Sequence, residues 1–183
     1  MNIPVQIASD EAIARAASPG FPDQAQIKLL MSLGLFSPDD EVALRKVWAI
    51  LKDQTDDYLD MTLGMLAAYP ALRREQYADG WLDNPSRLRE HFRQWLHETC
   101  FSPNEPHWIK QLYSEQSLSD SELTPGFRHI VALAYPLAAM ARPFLLACES
   151  DHQDIERMQC ALLKAILLQV ALLSKLYVKD ELW

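Results

Sequence analysis

The chain is 183 residues long, 49% hydrophobic and 23% charged, the proportions of one globular domain. A net charge of −8 leaves no basic stripe for a phosphate backbone, which excludes nucleic acid as a partner. Cys100, Cys148 and Cys160 form no C-x-x-C pair and suggest neither a disulfide framework nor a zinc site, while five glycines and no alternating apolar run argue against a sheet protein.

The segment Met1 to Glu11 has no basic region and no apolar run, so no secretory signal is expected and the protein is expected to stay in the cytoplasm. Helices are predicted over 9–17 and 23–34. Ser37-Pro-Asp-Asp then places a capping serine before a proline at the first helical position, with acids at the positive end of the helix dipole, and opens a helix over 38–53. Leu44, Val47, Trp48, Leu51, Tyr58, Leu59 and Leu66 keep helical spacing, and the polar insert Lys52–Asp57 marks a joint before a helix over 55–69. A short helix over 71–77 follows. Asn84-Pro85 starts a helix over 85–100 striped by Leu88, Phe92, Trp95 and Leu96. Ser102-Pro-Asn-Glu has the spacing of a capping box for a helix over 103–118 carrying Ile109, Leu112 and Tyr113. Thr124-Pro125 starts a helix over 125–148, in which Pro136 and Pro143 each remove a backbone donor and should bend it. Ser150-Asp-His-Gln opens the last helix, over 151–178. Helices of unequal length with short joints and no internal repeat read as an all-α, globin-like stack.

The last helix carries apolar residues on far more than one face, whereas a helix with one side in water shows a stripe roughly 100° wide. Lys164 and Lys175 bracket only the ten residues Ala165 to Ser174, and a membrane span needs about 20, so no membrane is expected and a buried interface is left. Phe127–Phe144 and Ala161–Val178 together resemble the last two helices of the protoglobins and the sensor globins related to them. The resemblance extends to Leu51-Lys-Asp-Gln-Thr55, to Phe92-Arg-Gln-Trp-Leu-His-Glu-Thr-Cys100 and to Trp108, and covers residues 35–180. It implies a single globin-fold domain over 1–183, with extension helices in 1–35 and the globin core in 36–183. It also implies a homodimer, in which the last two helices pair with their copies. Leu168, Leu172 and Leu176 are the expected interface positions.

The same resemblance implies a haem pocket. Its proximal histidine, about three helical turns beyond the matched tryptophan, falls here on Ser119, which shares a face with Trp108, Leu112 and Glu115. No histidine lies between His107 and His129. The family's distal tyrosine falls on Leu63, and Phe92 is kept as an apolar wall. Leu63, Phe92, Leu112, Ser119 and His129 therefore outline a vestigial pocket, with His129 the one substitute axial ligand. His91 and His97 read as surface groups, His107 as a first-turn residue and His152 as part of a cap. Asp56, Asp57 and Asp60 form a solvated face with no histidine partner, and His97-Glu98 lacks the second histidine of a zinc motif.

The expected protein is thus a non-enzymatic, haem-free globin homodimer with no cofactor. Haem-free stress sensors among the sensor globins are a precedent that the resemblance supplies. Sensor globins usually continue into an output domain and this sequence stops at Trp183, so a separate signalling protein, or an apolar small molecule, is the expected partner. Within a vacated pocket, Leu63, Phe92, Trp95 and Met140 are the residues expected to collapse inward. The alternative is a haem protein binding oxygen or another diatomic gas through His129.

Overall fold

The computed structural model describes residues 21–68, 85–117, 127–149 and 151–176. The predicted helices over 9–17 and 71–77, the start at Thr124-Pro125 and Ser119 lie outside them. The described residues form α1 (Gln24–Leu33), α2 (Pro38–Leu51), α3 (Thr55–Ala67), α4 (Pro85–Phe101), α5 (Pro106–Ser117), α6 (Phe127–Met140), α7 (Arg142–Cys148) and α8 (His152–Ser174).

Local chemistry sets these bounds. Asp23 caps α1 and Gln26 reciprocates, and Ser37 and Asp40 do the same for α2, so each pair satisfies two otherwise orphaned donors. The turn after α1 is a Schellman motif, with Phe36 N–H donating to Met31 O at 2.9 Å and Leu35 N–H to Ser32 O at 3.2 Å. Its left-handed position holds Leu35 at φ 51, although a glycine stands one residue earlier.

Three boundaries depart from the sequence reading. Helix α5 starts at Pro106 and not at 103, because Glu105 N–H turns back to Ser102 O at 3.1 Å and leaves Pro106 at the first position, which lacks an intrahelical acceptor. Pro136 sits within α6 without ending it; the break comes at Ala141, ahead of Pro143. The last helix is capped by Asp151, whose side chain accepts from Gln153 N–H at 2.8 Å, one residue later than the sequence places the cap.

Helix α8 is the axis of the molecule. It packs most extensively on α2 and α6, and touches α1, α4, α5 and α7. The close approach to α6 rests on small residues, since Ala134, Ala138 and Ala141 of α6 and Ala161 and Ala165 of α8 are all buried. Two hydrophobic clusters result. The larger joins α2, α3, α4, α6, α7 and most of α8 through residues such as Leu44, Val47, Tyr58, Leu96, Leu145 and Leu162. The smaller gathers Ile27 of α1, Trp108, Ile109, Leu112 and Tyr113 of α5, and Leu168, Leu172 and Leu173 near the end of α8. Burying one such leucine fully is worth about 1.5–3 kcal/mol, so these clusters dominate the stability of the helices they join.

Candidate functional site

Of the residues expected around a pocket, Leu63 and Phe92 pack in the larger cluster and Leu112 in the smaller. Phe92, Trp95, Leu96, Thr99 and Cys100 share one face of helix α4 at helical spacing. Phe92 lies with its ring centroid 5.3 Å from Tyr58 and 5.3 Å from Trp95. Trp95 is half-buried and packs against both clusters.

A closed polar chain accompanies these rings. The Trp95 indole Nε1–H donates to Gln169 Oε1 at 3.1 Å, Gln169 Nε2 donates to Thr99 Oγ1 at 2.9 Å, and the Thr99 hydroxyl donates to Trp95 O at 2.7 Å. Indole can only donate, which fixes the amide oxygen of Gln169 toward Trp95 and its nitrogen toward Thr99. Gln169 and Thr99 are buried, and this chain is what satisfies them. It ties α4 to α8.

Two buried tyrosines finish helix ends in the same economical way. Tyr58 OH donates to Leu137 O at 2.6 Å and Tyr113 OH to Leu172 O at 2.6 Å, each carbonyl lying among the last four of its helix. Burial, and secondarily the neighbouring Cys100, raises the Tyr58 pKa above its ordinary value. Burial also pushes the Cys100 thiol up to about 12, so it is protonated at neutral pH and is a poor metal ligand. Trp108 Nε1 is the buried side-chain donor with no acceptor among the described residues.

None of the described histidines belongs to the buried core. His97 stacks on Phe101 at 4.9 Å and meets Trp48 edge-on at 5.0 Å, with its Nδ1 3.5 Å from Glu98 Oε1. His107 is exposed, 3.7 Å from the other Glu98 oxygen. His91 is half-buried on α4 and His152 is exposed. Ser119 and the side chain of His129 lie outside the described residues.

Two of the interface residues expected on α8 are covered within a single chain. Leu168 is 6% exposed and Leu172 0% within a single chain, because Trp108, Leu112 and Tyr113 of α5 already cover that face. Leu176 is half-buried against the same cluster. Large apolar residues that do face outward include Leu167 of α8, Val131 and Tyr135 of α6, Leu146 of α7, and Leu29 and Leu33 of α1. The tyrosine that the sequence reading missed is Tyr58. It shares α3 with Leu63, but its spacing with Leu51 and Leu59 carries only the signature of core, and its hydroxyl is committed to α6. Gln169 was also missed, since a single amide in an apolar helix gives no periodic signal.

Comparison with known families decides what this stack of helices is: the model of the protoglobin family matches residues 23–183. The chain belongs to the protoglobin family. No curated protein matches it significantly. The fold is therefore the all-α globin fold, and the extra helix α1 ahead of α2 falls within the matched region.

Protoglobins ordinarily hold haem. The positions on which its ligation turns, Ser119 and the side chain of His129, are outside the described residues. An axial ligand needs a neutral imidazole or a thiolate facing the iron, and the described histidines stand outside the buried core. The buried hydroxyls and amide around the expected pocket are spent on one another or on helix ends. What the arrangement can do is transmit packing: a change at Trp95 or Phe92 on α4 meets α8 directly through Gln169.

Proposed function

We propose that this protoglobin-family chain works without the family's haem ligation, as a non-enzymatic, homodimeric sensory or adaptor module acting through protein contacts or an apolar ligand, with no cofactor. The observation that carries the reading is Trp95, which packs against both clusters beside Phe92 and has its one polar atom committed to Gln169. The serine at the proximal position and the leucine at the distal one point the same way.

Assembly and location belong to the same proposal. By length and composition two stretches could cross a membrane, Val131–Cys148 and His152–Ser174. The second is 56% buried within one chain and is a core helix; the first is only 22% buried and is interrupted by Pro136, Arg142 and Pro143. A second copy of the chain covering α6 and α7 accounts for that apolar surface in a cytoplasmic protein. A separate signalling protein is then the recipient of any output.

Hemin decides the central point. The purified protein should be colourless, and titration with hemin should give only a weak, broad Soret band. A sharp, stoichiometric band abolished by His129→Ala overturns the reading and establishes a gas-binding haem protein with a displaced ligand.

A further inference from the structure

We draw no further inference here: the strongest candidate, the outward apolar face of α1 and the turn after it, where Leu29, Leu33 and Leu35 are exposed, carries none because nothing in the structure shows what covers it.

Discussion

Lys164 is the side chain on which most of one corner depends. Its Nζ donates to Leu35 O at 2.8 Å and to both oxygens of Asp40 at 3.0 Å, while Asp40 also accepts from Ser37 N–H at 2.7 Å. One ammonium thus holds the left-handed turn after α1 and the cap of α2 against α8. Burial alone would raise the Asp40 pKa, but the hydrogen bonds from Lys164 and Ser37 outweigh it, and the net effect lies below the ordinary 3.8. A carboxyl depressed in the folded state contributes stability that is present above its unfolded pKa and is lost as pH falls through the folded one. Asp40→Asn should therefore cost about 1–3 kcal/mol at pH 7 and progressively less once the pH drops below the ordinary carboxylate range, read as urea midpoints that converge with wild type on acidification. The Ser37–Asp40 half of this corner is legible in the sequence as a capping box. The Lys164 half is not, because nothing local to α8 says that a lysine will meet a carbonyl and a carboxylate contributed by residues 35–40.

Helices were the most legible level, because the physics that starts and stops them is local. Ser37-Pro38, the insert after Leu51 and Asn84-Pro85 mark helix bounds that the structure keeps. What periodicity cannot say is which neighbour covers an apolar face. The breadth of apolar residues on α8 suggested an interface, and it is real as burial, but at Leu168 and Leu172 the cover is α5 of the same chain. Outward apolar residues lie on α6 and α7, where Tyr135 is 68% exposed, and also on α1, where Leu33 is 70% exposed. If the proposed homodimer uses the α6–α7 face, sedimentation should show that Tyr135→Glu or Leu146→Glu weakens it about 10–100-fold with helical content unchanged. Leu172→Glu should instead unfold the chain, since it places a charge in a closed core. A wild-type chain that sediments as a monomer at micromolar concentration, or an interface indifferent to both outer substitutions, removes this assignment.

At the scale of the whole molecule the sequence offers Ser119 and Leu63 as the expected ligand and donor positions by resemblance, but the contact between Trp95 and Gln169 was not legible in it. Trp95 and Gln169 sit far apart in sequence, and only the packing of α4 on α8 brings them together. The division of the interior into two clusters strung along α8 carries a consequence for how the native state opens. The first half of α8 is fastened to α2 and α6, whereas its last turns hold on through α1, α5 and the Tyr113–Leu172 bond. Cooperative opening units follow such divisions. Amide hydrogen exchange should reveal two protection tiers within one unbroken helix, with Leu172 and Leu173 trading hydrogen for deuterium together with Ile109 and Leu112, well before Met158 to Ala165 do. Uniform protection along α8 would contradict it. A helix that can let go at one end while gripping at the other is a lever, and in this globin Gln169 sits at its fulcrum.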